Sequence, residues 1–60
     1  MNPLQTLNFK KIGVAYHIYP YKNTLVRLRR LDNGSKVFPD KLFVSIEVAL
    51  KHIDSQIRDF

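Results

Sequence analysis

Arg27 and Arg29 stand two residues apart in the run Thr24–Leu31, among Leu25, Val26, Leu28 and Leu31. In an extended strand, a spacing of two puts both guanidinium groups on one face. The parity of the neighbouring segments adds His17, Tyr19 and Lys36 to that face, together with Ala15, Leu25, Leu31 and Phe38. Cations interleaved with rings and aliphatic groups suit a nucleic acid. Lys and Arg neutralise phosphates, an arginine fork fits a guanine edge, and apolar groups stack on bases or meet thymine methyls. Lys10, Lys11 and Lys22 lie in flanking segments, where they suit neighbouring phosphates. These types at these spacings point to a polyanionic partner, with duplex DNA ahead of RNA.

Little else in the chain could do chemistry. His17 and His52, the only imidazoles, fall on different elements without metal-ligand spacing, so no metal site is expected. Asp32-Asn33-Gly34 lacks the alternating ligands of a calcium loop. Ser35 and Ser45 stand in no nucleophile motif, and two glycines make no phosphate loop. With no cysteine there is no disulfide, thiolate site or thiol nucleophile, which fits a reducing compartment. Sixty residues also leave little room for a deep substrate cavity. The expectation is a protein without catalytic residues or cofactor.

The elements that must position these residues belong to one domain, 1–60, with 45% hydrophobic and 25% charged residues. Ten Lys/Arg against five Asp/Glu give a net charge of +5. That charge is uneven. Residues 46–60 set Lys51 and Arg58 against Glu47, Asp54 and Asp59, a net of −1, whereas residues 1–45 carry a net of +6. No apolar run approaches the roughly 18 residues of a membrane span, and no secretory pattern opens the chain, so a cytoplasmic location is expected.

Residues 1–11 read as an N-terminal arm packed through Leu7 and Phe9. Residues 13–19 alternate in period two, with Val14, Tyr16 and Ile18 on one face, and form a first strand. Pro20 to Asn23 break that pattern. Residues 24–31 form a second strand, and a three-residue loop (Tyr21, Lys22, Asn23) pairs Ile18 with Val26 and Tyr16 with Leu28. Asn33-Gly34 is a type I′ hairpin turn and, as part of Asn33-Gly34-Ser35, reads as a turn and not as a glycosylation sequon. A short third strand, 35–38, follows and stops at Pro39-Asp40. A two-residue loop sets Arg30 opposite Val37, whereas a bulged turn shifts the pairing by one and buries Phe38. Leu42, Phe43 and Val44 carry the chain across to a helix at 46–58, capped by Ser45. Its apolar stripe is Ile46, Ala49, Leu50, Ile53, Ile57 and Phe60, supported by Glu47–Lys51 and Asp54–Arg58 pairs. The expected architecture is α+β: a three-stranded antiparallel β-meander with one C-terminal amphipathic helix packed on one face. Its core combines Val14, Tyr16, Ile18, Val26, Leu28, Val37 and Phe43 with Ile46, Leu50, Ile53 and Ile57.

The run Arg29-Arg30-Leu31-Asp32-Asn33-Gly34-Ser35-Lys36-Val37-Phe38, a linker, and Ser45-Ile46-Glu47-Val48-Ala49-Leu50-Lys51-His52-Ile53 resembles the arm-type DNA-binding domain of lambda-type integrases. The layout is also similar to AP2 domains and CedA-like domains. The resemblance covers about residues 14–58. It implies that the sheet, not the helix, faces DNA, with roles for Arg27, Arg29 and Lys36. The strongly basic N-terminal tail of the integrase domain has only Lys10-Lys11 as its counterpart here.

The leading expectation is a small basic DNA-binding accessory or regulatory protein that neutralises about four phosphates, giving a log–log salt slope of roughly −4. It requires guanidinium groups that point away from the helix and are neither tied up by carboxylates nor roofed by the N-terminal stretch. Two other readings stand beside it. An uncovered sheet face needs charge for solubility alone. Alternatively, the chain is a protein-interaction module that takes an acidic partner or forms a homodimer through the open edge 13–19. RNA binding with Tyr19 and Phe38 as stacking platforms ranks lower, because the glycine-aromatic signature of the RRM is missing.

Overall fold

The computed structural model describes residues 2–58. It is α+β, with a four-stranded antiparallel sheet in the order β1-β2-β3-β4. The strands are β1 (Gln5–Phe9), β2 (Val14–Tyr21), β3 (Leu25–Asp32) and β4 (Lys41–Phe43), followed by the helix α1 (Ile46–Ile57). Phe60, the last residue of the expected apolar stripe, lies outside the described residues.

The N-terminal arm is a strand. β1 pairs along β2 from Gln5↔Ile18 to Phe9↔Val14, and Leu7 and Phe9 pack against the core. The edge 13–19, expected to be open for a homodimer, is therefore covered. A 3₁₀ turn at Lys10–Ile12 links the two strands and ends at Gly13, with φ 68°. The Asn33 N–H donates to the Gly13 carbonyl at 2.7 Å, so this turn is latched to the Asn33-Gly34 turn. A methyl group at Gly13 would run into the Asn33 side chain, whereas one at Gly34 would meet open space. Gly13→Ala is expected to cost about 1–2 kcal/mol from the left-handed backbone alone, roughly 5–15 °C in melting temperature. The contact with Asn33 adds to this, so Gly13→Ala should melt below Gly34→Ala in a thermal scan.

β2 runs on through Pro20, beyond the expected break. Pro20 faces Val26 across the ladder and is exposed. Lacking an N–H, it fits only where its nitrogen faces away from β3, and on that side β1 has already ended. The hairpin loop moves accordingly. Ile18 faces Leu28 and Tyr16 faces Arg30, two residues away from the expected register. A shift of two preserves the side of every residue.

Asn33 and Gly34 adopt φ of 52° and 85°, as a type I′ turn requires, and Asp32 and Ser35 exchange backbone hydrogen bonds. The expected strand 35–38 does not follow. Bonded pairs in an antiparallel ladder recur at every second residue. After 32/35 they would fall at 30/37 and 28/39, where Pro39 would have to donate to Leu28. The chain leaves the ladder instead and returns with Leu28↔Lys41, Arg27↔Leu42 and Val26↔Phe43. Val37, expected in the core, is 58% exposed, and the segment expected to be a crossing linker supplies the fourth strand.

The core lies between the sheet and α1: Val14, Tyr16, Ile18, Val26 and Leu28 against Ala49 and Ile53, with Phe43, Ile46, Leu50 and Ile57 around them. Ser45 caps the helix by accepting from the Val48 N–H at 3.2 Å. At the other end Arg58 and Asp54 pair at 2.8 Å. Among the described residues, no helix is long and apolar enough to cross a membrane.

Candidate nucleic-acid interface

With β1 beside β2 rather than over it, the face of the sheet opposite α1 is set by the pairing. His17 lies opposite Arg29, Tyr19 opposite Arg27, and Ala15 opposite Leu31. Thr6 and Asn8 extend these rows from β1, and Leu42 from β4. The two arginines thus point away from the helix, as the alternation of β3 demands. Both guanidinium carbons lie 5.3 Å from the centroid of the Tyr19 ring. His17 Nδ1 is 3.4 Å from the Tyr19 hydroxyl, which ties the imidazole to the same cluster.

Asp40 is the residue the sequence did not reveal. It stands one position before β4, where the ladder would set it opposite Arg29. Arg29 donates to it through Nε at 3.3 Å and Nη2 at 3.2 Å. Lys36 Nζ is 3.4 Å from Oδ1, and Arg27 Nε is 3.5 Å from Oδ2. In the sequence only the Lys36/Asp40 spacing of four points to it, and a strand at 35–38 would set the two apart. The requirement that the guanidinium groups be untied by carboxylates is therefore not met: Asp40 pairs with Arg27, Arg29 and Lys36. The three cations share one anion, leaving a net of +2. The Arg27 Nε is buried and makes no hydrogen bond among the described residues. Its charge is met instead by the Asp40 carboxylate at 3.5 Å.

The charges tune one another. Burial alone would push the Asp40 carboxyl up, but hydrogen bonds and charge from Arg29 and Lys36 override it and hold the carboxyl below its ordinary value. Arg29 is raised in turn, chiefly by its hydrogen bond to Asp40. A carboxyl whose pKa is lower in the folded than in the unfolded chain contributes stability above the ordinary carboxylate range and loses it as pH falls through that range. Asp40 thus pins the 35–40 excursion at neutral pH.

The remaining expected contacts sit at the two ends of the sheet. Lys10 and Lys11 are exposed in the 3₁₀ turn before β2. Lys22 is exposed in the β2–β3 turn, with φ 52° and its Nζ 5.6 Å from the Tyr21 ring centroid. β2 between them spans about 23 Å, more than the roughly 12 Å width of a major groove. Phe38, expected on this face, belongs to the other side, where its ring centroid is 5.0 Å from the Arg30 guanidinium carbon. His52, expected to be solvated, is half-buried and tilted against Phe43 at 5.1 Å. Among the described residues, no group of three or more His, Asp or Glu could hold a metal ion.

Comparison of the chain with protein-family models, with curated proteins and with solved structures finds no match.

Proposed function

We propose that this chain is a small DNA-binding accessory or regulatory protein that lays the open face of its sheet on duplex DNA. The observation that carries the reading is the Arg27–Tyr19–Arg29 row with Lys36 beside it, on the side of the sheet that the helix leaves uncovered. Arg27, Arg29 and Lys36 take phosphates or guanine edges, Tyr19 and His17 pack against sugars or bases, and Lys10, Lys11 and Lys22 reach phosphates beyond the groove. The resemblance to sheet-docking integrase arm domains points to the same face, but the structure departs from it: the segment 35–38, in the run that carries the resemblance, is not a strand, Lys41–Phe43 pairs with β3 instead, and β1 is added at the other edge. A single module of this size binds modestly, so a partner protein or a second copy on neighbouring DNA is part of the proposal.

A fluorescence titration of labelled duplex at several salt concentrations tests it, with a log–log slope of about −4 expected for four neutralised phosphates. Asp40→Asn sharpens the test. Removing the shared anion should steepen the slope by about one and tighten binding about eightfold at 0.1 M salt. The same variant should be less stable at neutral pH than the parent, and the difference should vanish in acid, where Asp40 is protonated. Binding that does not respond to salt, or that weakens in Asp40→Asn, speaks for a different partner.

The competing reading, a protein-interaction module, is favoured by one feature. Leu42 and Val44 are 49% and 67% exposed beside the three-residue edge strand β4. Salt-independent self-association in light scattering, without DNA affinity, would select it.

A further inference from the structure

The outer side of β1 is an open sheet edge. The Asn33 N–H donates to the Gly13 carbonyl, and bonded pairs recur at every second residue, so Ala15, His17, Tyr19 and Tyr21 bond to β3. Val14, Tyr16 and Ile18 therefore turn their backbone groups to β1, and the Ile18 carbonyl accepts from the Leu4 N–H at 2.7 Å. Their partners Phe9, Leu7 and Gln5 are committed to that ladder. The backbone N–H and C=O groups of Thr6 and Asn8 point the other way, where no strand of the described residues lies. We propose that this edge pairs antiparallel with β1 of a second copy of the chain, about a two-fold axis at Leu7, to form a dimer with one eight-stranded sheet.

Three features select a second copy as the occupant. First, the edge is unprotected. Sheet edges are commonly blunted by lysine, proline or short length. β4, at the other edge, has three residues and carries Lys41. β1, Gln5-Thr6-Leu7-Asn8-Phe9, has five residues with neither charge nor proline. A neutral strand in a chain of net charge +5 also gives an acidic peptide no reason to choose it over the arginine row. Second, the edge complements itself. Pairing about Leu7 sets Thr6 opposite Asn8 of the second copy and Asn8 opposite its Thr6. These are the residues whose backbone groups are free, and the two pairs exchange four hydrogen bonds. Their polar side chains meet on the open face, while on the helix side Leu7 meets its own copy and Phe9 becomes its diagonal neighbour. α1 packs over β2, β3 and β4, and Leu7 and Phe9 stay half-buried beside it, so the second copy completes their apolar cover. Third, like charges stay apart. Lys10, the nearest cation along the chain, lies three residues from the axis, on opposite sides in the two copies. Strand rise separates the pair by about 20 Å, against a Debye length of about 8 Å at physiological salt. The dimer uses the edge of the sheet and the DNA reading uses its face, so either can fail without the other.

The test is sedimentation velocity of the whole chain without DNA, from about 10 µM to 1 mM. A monomer–dimer equilibrium with a dissociation constant of about 0.1 mM is expected, as for a small transient interface. Raising salt from about 0.1 to 0.5 M should leave it unchanged or tighten it, because screening weakens repulsion between two +5 chains, whereas DNA binding weakens. In NMR spectra the Thr6 and Asn8 amide protons should move downfield as concentration rises, while that of Leu42, on β4, stays in place. Thr6→Lys/Asn8→Lys sets lysines opposite one another across the axis at exposed positions. It should melt as the parent does and weaken the dimer at least tenfold. Asn8→Pro, which removes an N–H unused within the chain, is a second variant with the same expected loss. The proposal is overturned by a chain that stays monomeric at about 1 mM or by association that continues past the dimer. It is equally overturned by concentration shifts at Leu42 in place of Thr6 and Asn8, or by folded variants that dimerise as the parent does. The parent's own dilution series decides the matter even where a variant fails to fold.

Discussion

Replacing Arg27 and Arg29 together by alanine is expected to lower affinity for duplex DNA about 60-fold at 0.1 M salt and to make the salt slope shallower by nearly two. Each neutralised phosphate contributes about 0.9 to the slope, which at 0.1 M salt is roughly an eightfold factor per contact. The structure adds a reason for the pair to act as a unit. Asp40 offsets one charge of the three around it, so without both arginines Asp40 and Lys36 cancel and the cluster drops from +2 to zero. The arginine side chains are 36% and 31% exposed and lie outside the core, so the fold should survive, but Asp40, 14% exposed, loses two of its three partners and the variant should melt somewhat below the parent at neutral pH. Circular dichroism and a melting curve on the same sample verify that. Exchanging both for lysine separates two modes of contact. Phosphate neutralisation keeps affinity within about threefold, whereas forked contacts to guanine lose about 1–3 kcal/mol each, and only on the preferred sequences. If the double alanine variant binds as the parent does, the open face is not the contact surface.

The reason this face could be read from sequence lies in parity. Period-two alternation in 13–19 and 24–31 assigns Arg27, Arg29, His17 and Tyr19 to one side whatever the loop between the strands does in steps of two. The register was in fact two residues off, and no side chain changed face. The same robustness gave Val14, Tyr16, Ile18, Val26 and Leu28 as the sheet's contribution to the core, and the 3.6-residue spacing of Ile46, Leu50, Ile53 and Ile57 gave the helix. What alternation could not give was which segments pair. Gln5–Phe9 has only Leu7 and Phe9 as an apolar pair, a signal too short to distinguish a strand from an arm. The segment 35–38 looked like a strand because Asn33-Gly34 is so strong a turn, yet the cost of Pro39 appears only after hydrogen bonds are counted along the ladder. The placing of Asp40 beside Arg29 and of Phe38 beside Arg30 both follow from that excursion. Apart from the Lys36/Asp40 spacing of four, they come from non-local geometry that no local spacing in the chain encodes.

That excursion also yields the sharpest test of the architecture. Ile18→Ala and Val37→Ala each remove methyl groups from residues that sequence reasoning placed in the same core, and the structure assigns them opposite consequences. Ile18 has 0% of its surface exposed, in the middle of β2 between Gln5 and Leu28. Truncating such a residue costs about 2–5 kcal/mol, the transfer term plus the cavity left behind. Native stability of roughly 0.05–0.15 kcal/mol per residue gives a chain this short only about 3–9 kcal/mol in total. Ile18→Ala should therefore lower the melting temperature by 10 °C or more, or leave the chain largely unfolded at 25 °C. Val37, 58% exposed in a segment detached from the ladder, has little to lose, and Val37→Ala should stay within about 0.5 kcal/mol of the parent. Urea titrations of the two variants report both numbers. A Val37→Ala loss comparable to that of Ile18→Ala would mean that 35–38 packs as a strand on the helix side, in which case Asp40 could not reach Arg29 and the charge cluster on the open face would not form.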